Sequence, residues 1–85
     1  MPGHGRFQVT VVLGREPFEQ DEQVGVEARL RALLRTDDVF VMRDINAKVR
    51  VDLNATSLER AIHRVMTEMS EAIDAEQVSV LGKCL

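Results

Sequence analysis

Residues 56–75, TSLERAIHRVMTEMSEAIDA, carry the pattern on which the fold turns. Leu58, Ala61, Ile62, Val65, Met66, Met69, Ala72 and Ile73 recur at steps of three and four, which sets them on one stripe of a 3.6-residue helix. Glu59, Arg60, His63, Thr67, Ser70, Glu71 and Asp74 fall on the opposite side. Thr56 is placed as the N-cap, and Glu59, three residues on, completes a capping box. No Gly or Pro interrupts the run. Each large side chain on the stripe contributes about 1.5–3 kcal/mol when fully buried, before the entropy of ordering it is subtracted. One helix cannot cover its own stripe, so a flat apolar partner is required.

The segments on either side supply it. Residues 6–13, RFQVTVVL, alternate Phe7, Val9, Val11 and Leu13 against Gln8, Thr10 and Val12, the period of a half-buried strand, and Gly14 ends it. Residues 1–5 read as a loose lead-in with His4 solvated. Residues 15–22 form a polar connection in which Phe18 plugs one end of the core. Residues 23–35 fit two templates: Val24, Val26, Ala28 and Leu30 alternate as a strand, whereas Val26, Leu30, Leu33 and Leu34 follow helical spacing. Good helix formers at Ala28, Arg29, Arg31 and Ala32 favour a helix from about 22 to 35, although Gly25 weakens its start.

Residues 39–43 and 47–53 read as two strands joined at Asp44-Ile45-Asn46. The length of the connection decides which side of the first strand is buried. A two- or four-residue connection buries Phe40 and Met42 and sets Arg43 opposite Lys48, a like-charge pair. A three-residue connection buries Val39 and Val41 instead. Burial of the larger aromatic favours the first arrangement. Residues 76–81 give a last strand, with Val78 and Val80 inward and Gln77, Ser79 and Leu81 outward, and residues 82–85 form a short tail.

The order strand, helix, strand, strand, helix, strand, with right-handed crossovers, specifies an α+β ferredoxin-like βαββαβ plait. Its four-stranded antiparallel sheet carries two helices on one face. Residues 1–85 make one domain, a length near the small end for a single core. The other sheet face is left open and is expected to present Thr10, Val12, Val39, Val41, Arg43, Lys48, Arg50 and Leu81, with Gln8, Asp52, Gln77 and Ser79. β-branched apolar residues mixed with charges of both signs make such a surface a candidate for self-association or for a partner protein.

Chemistry is sparse. His4, His63 and Cys84 have no metal-ligand spacing, and Asp37, Asp38 and Asp44 read as cap and turn residues. Ser57, Ser70 and Ser79 lack a neighbouring His-and-acid pattern, and His63 is expected to pair with Glu59 four residues earlier. The glycines match no phosphate-binding fingerprint. A net charge of −3 argues against a nucleic-acid partner, and the central strands offer no aromatic platform for bases. No cofactor is expected, and no apolar run is long enough to span a bilayer. The opening residues lack a signal-peptide pattern, and a single cysteine fits a reducing cytoplasm. The leading expectation is a non-enzymatic cytoplasmic module that homo-oligomerises, as a homodimer or higher, or docks a protein partner through the open face. The alternative is a ligand-sensing regulatory domain that binds a small metabolite at a subunit edge, near residues 14–20 or Asn54-Ala55.

Overall fold

Alternation along the first strand sets the geometry of the rest. In the computed structural model, which describes residues 5–85, β1 (Gly5–Leu13) buries Phe7, Val9, Val11 and Leu13 and turns Arg6, Gln8, Thr10 and Val12 to the other side. The elements that follow are α1 (Gln20–Leu34), β2 (Val39–Arg43), β3 (Ala47–Ala55), α2 (Leu58–Ala72) and β4 (Gln77–Cys84). His4 and the rest of the expected lead-in lie outside the described residues, and Gly5 already belongs to β1. All strand pairs are antiparallel in the order β2-β3-β1-β4. This is the ferredoxin-like plait, with β1 and β3 central.

Both helices pack on the face that carries Val9, Val11, Val49 and Val51. From α2 the core takes Ala61, Val65 and Met69, and Ile73 just beyond it; from α1 it takes only Leu30 and Leu34. The polar connection after β1 delivers Phe18, which is buried as expected.

Segment 23–30 is helical, so the helical template wins over the alternating one. Glu19 donates its backbone N–H to the Glu22 side chain at 3.2 Å, which anchors the first turn. Arg35 stops the helix in the left-handed region, φ 54°. The cap of α2 falls one residue later than the sequence suggests. Ser57, not Thr56, accepts the N–H of Arg60 at 3.2 Å.

The hairpin overturns the expected burial of Phe40 and Met42. Arg43 pairs with Ala47 across the three-residue connection Asp44-Ile45-Asn46, so Val41 lies opposite Val49 and Val39 opposite Val51, on the core side. Asp44 fixes that connection, accepting the Ile45 N–H at 2.8 Å and the Lys48 ammonium at 3.0 Å. The anticipated contact between Arg43 and Lys48 therefore never arises.

The C-terminal segment also differs. Gly82, Lys83 and Cys84 continue β4 rather than forming a tail. The register slips between Val12 and Leu13, leaving Val78 at the irregularity and exposed, not inward. Gln77 turns to the helix side, where its amide donates to the Met66 carbonyl and to Ser70 Oγ, each at 2.9 Å. Gly82 is required where it stands, because an added Cβ would lie 2.8 Å from Ile62 Cδ1 and 2.9 Å from Leu58 Cδ1. α2 thus lies directly on β4.

Candidate functional site: the open sheet face

Register and pleat assemble the uncovered face in rows across the strands. Phe40, Arg50, Thr10 and Leu81 form one row. Met42, Lys48, Val12 and Ser79 form the next, and Asp52, Gln8 and Lys83 a third. Five of the eight interface residues read from the sequence, Thr10, Val12, Lys48, Arg50 and Leu81, thus share this face. The other three do not. Val39 and Val41 are buried in the core. Arg43 takes the helix-side register opposite Ala47, and its guanidinium reaches back to the Phe18 carbonyl at 3.3 Å.

Phe40 and Met42 occupy the places those residues vacate, each 38% exposed. Sequence reasoning assigned both to the core, and the three-residue connection was the one signal that locates them. The Arg50 guanidinium stacks over the Phe40 ring at 4.7 Å, an arrangement that holds the ring half-covered and its outer face available.

The charges on this face are largely matched within the chain. Arg6 pairs with Asp38 and Lys48 with Asp44, while Arg50 Nε stands 4.0 Å from Asp52 Oδ1. That last separation is too long for a hydrogen bond, and both atoms are buried without another partner. Lys83 has no carboxylate within ion-pair distance among the described residues. The Lys48 ammonium, followed by the Ile45 N–H, holds the Asp44 carboxyl below the ordinary carboxylate range. A shallow depression of about 200 Å³ opens between β1 and β4, lined by Gln8, Thr10, Leu81, Gly82 and Lys83.

The two loops considered for a ligand diverge. Residues 14–20 close the core rather than shape a cavity: the Arg15 carbonyl accepts the Ala47 N–H at 3.0 Å, and the Arg15 side chain lies 4.0 Å over the Phe18 ring. Asn54 and Ala55, at the end of β3, line a depression of about 350 Å³ with Thr56, Arg60, His63 and Arg64. His63 makes no ion pair with Glu59 and lines that depression with Arg60 and Arg64.

Among the described residues no group of three or more His, Cys, Asp or Glu side chains converges, and no helix is long and apolar enough to cross a membrane. Comparison with protein-family models, with curated proteins and with solved structures returns no match for this chain.

Proposed function

We propose that this chain is a non-enzymatic cytoplasmic interaction module that docks a protein, either a second copy or a different chain, through the open sheet face. One observation carries the reading: Phe40, Met42, Val12 and Leu81 stand among charges largely matched within the chain, Lys83 apart. Internal pairing leaves little net field to attract a polyanion. Exposed aromatic, Met and Arg side chains are the types enriched at protein interfaces. A partner that covered Arg50 and Asp52 would also strengthen their attraction by excluding water.

The test compares two baits, the unaltered protein and a Phe40→Glu/Val12→Glu double variant with the same circular dichroism, for capture from native extract and for self-association by light scattering. A partner held by the first bait and lost by the second supports docking. An oligomer lost in the same variant identifies the partner as a second copy. Identical capture and identical mass for both proteins would refute the reading.

The basic depression beside the start of α2 favours a second reading, a regulatory domain that senses a small anionic metabolite through Arg60, His63 and Arg64. A thermal-shift series with inorganic phosphate, nucleotides and amino acids tests it, since a ligand of the folded state stabilises by RT ln(1 + [L]/Kd). A shift that survives Arg60→Ala/Arg64→Ala, or no shift with any of these compounds, removes it.

A further inference from the structure

We infer that the outer edge of β4 pairs antiparallel with the β4 of a second copy, about a two-fold axis through Leu81, joining the two sheets into one of eight strands. This goes beyond the open-face reading and does not depend on it, because it concerns the backbone edge of the sheet.

The two edges of this sheet are finished differently. Asp38 bonds to β3 through its carbonyl, which accepts the Asp52 N–H at 2.9 Å. Antiparallel alternation therefore points the N–H and C=O groups of Val39 and Val41 outward. Side chains of α1 occupy two of these four groups: Glu27 Oε2 accepts the Val41 N–H at 2.8 Å, and Arg31 Nη2 donates to the Val39 carbonyl at 2.9 Å. The β2 edge is thus half sheathed by its own chain.

At β4 the Leu85 N–H donates to the Arg6 carbonyl at 2.9 Å, so Lys83, Leu81 and Ser79 bond to β1 and the backbone groups of Val80, Gly82 and Cys84 point outward. Among the described residues no strand and no side chain meets them. The strand is eight residues long and carries one charge, Lys83. Val78 and Leu81 within it, and Leu85 just beyond it, are 58%, 71% and 59% exposed. Long, apolar and unprotected edges are the ones that recruit another strand.

Self-complementarity selects the second copy as the occupant. Hydrogen-bonded pairs across the new edge must join outward-pointing residues of both copies, which leaves only alternate registers. One of these sets Lys83 against its twin, which like-charge repulsion disfavours. The register centred on Leu81 pairs Val80 with the other copy's Gly82 and sets Lys83 opposite the uncharged Ser79. It also brings Leu81 against its twin at a close, non-hydrogen-bonded position, so the most exposed apolar residue of the sheet buries itself. On the helix side Met66, one turn beyond Ile62 on α2, is 37% exposed, and its carbonyl accepts from the Gln77 side chain at the start of the same strand.

Light scattering, disulfide trapping and an edge block test this together. The unaltered chain should give twice its 9.6 kDa mass. Leu81→Cys in a Cys84→Ser background should form a cross-linked dimer on mild oxidation, because Cβ atoms of opposed residues lie within about 5 Å there. Val80→Pro removes an N–H that points outward and leaves the β1 ladder intact, so it should give a folded monomer. Phe40→Glu should leave the dimer unchanged, which separates this edge from the open face. A monomeric unaltered protein overturns the inference, as does a dimer that tolerates Val80→Pro or a Leu81→Cys protein that does not cross-link. If Val80→Pro proves unfolded, the cross-link decides alone.

Discussion

Gly82→Ala measures how closely α2 sits on β4. A methyl group at this position would lie 2.8 Å from Ile62 Cδ1, 2.9 Å from Leu58 Cδ1 and 3.0 Å from Ile62 Cγ1, whereas carbon atoms rest at about 3.5–4.0 Å. The overlap is more than half an ångström at two contacts. Both main contacts are terminal methyls that can rotate, so the cost belongs at the lower end of overpacking, about 1 kcal/mol. A methyl accommodated without strain would act the other way and stabilise by about 0.4–1 kcal/mol through the unfolded chain. The unfolded-chain gain is present in either case, so the net loss is about 0–0.6 kcal/mol and the coupling to Ile62 is the sharper test. In a chain of this size 1 kcal/mol lowers Tm by about 4–8 °C, readily followed by circular dichroism with urea unfolding as a check. Ile62→Val removes the nearest methyl and should cost about 0.5 kcal/mol alone. In the Gly82→Ala background it should cost nothing or restore stability, a coupling of about 0.5–1 kcal/mol. A Gly82→Ala protein more stable than the parent by the full gain of about 0.4–1 kcal/mol, or strict additivity of the two changes, refutes the placement of α2 on β4.

Gly25 lies on the exposed side of α1, and a Cβ there meets nothing within 4 Å; Gly25→Ala should therefore raise stability by about 0.5–1 kcal/mol, read as an increase in Tm. Ser57→Ala should cost about 1 kcal/mol by removing the cap of α2, whereas Thr56→Ala should be nearly neutral, and equal losses for the two would misplace the helix start. The Asp44 carboxyl is held below its ordinary range in the folded protein, so its contribution is present above the unfolded value of about 3.9 and is lost as pH falls through the lowered folded value. The difference in Tm between the parent and Asp44→Asn should accordingly be present at neutral pH and vanish in acid, and high salt should shrink it. Glu27→Ala leaves the Val41 N–H without its acceptor and should cost about 1 kcal/mol; combined with Arg31→Ala it should produce oligomers larger than those of the parent in light scattering.

The parts of this fold legible in the sequence are those that one periodicity decides. α2 was readable because eight apolar residues lie on one stripe, and β1 and β3 because their alternation is strict. α1 was harder because it buries only Leu30 and Leu34, while Val24 stands 63% exposed, so apolar spacing alone gives a mixed signal there. The inner face of β2 was not legible from an all-apolar run. It depends on how Asp44 closes the connection, and that choice exchanged Val39 and Val41 for Phe40 and Met42 on the candidate site. Gly82 read as the start of a short tail. Its real reason, the proximity of Leu58 and Ile62, belongs to tertiary packing and has no local signature.

The contrast between the sheet edges follows from where the helix layer sits. α1 packs over β2, whereas α2 packs across β1, β3 and β4. α1 therefore overhangs the outermost strand on its side, close enough for Glu27 and Arg31 to reach over and occupy the backbone. In sequence these two residues look like an ordinary helix-surface pair four apart, and only their tertiary position turns them into a sheath. α2 reaches β4 with apolar side chains, Leu58 and Ile62 against Gly82, and such groups cannot satisfy an outward N–H or C=O. Proteins blunt exposed edges with charge, proline, short strands or cover. Among the described residues this chain applies cover at β2 and, apart from Lys83 and the irregularity at Val78, no such device at the longer β4. An edge protected on one side of a sheet and left bare on the other is accounted for most simply by an occupant, and the self-complementary pairing around Leu81 makes a second copy that occupant.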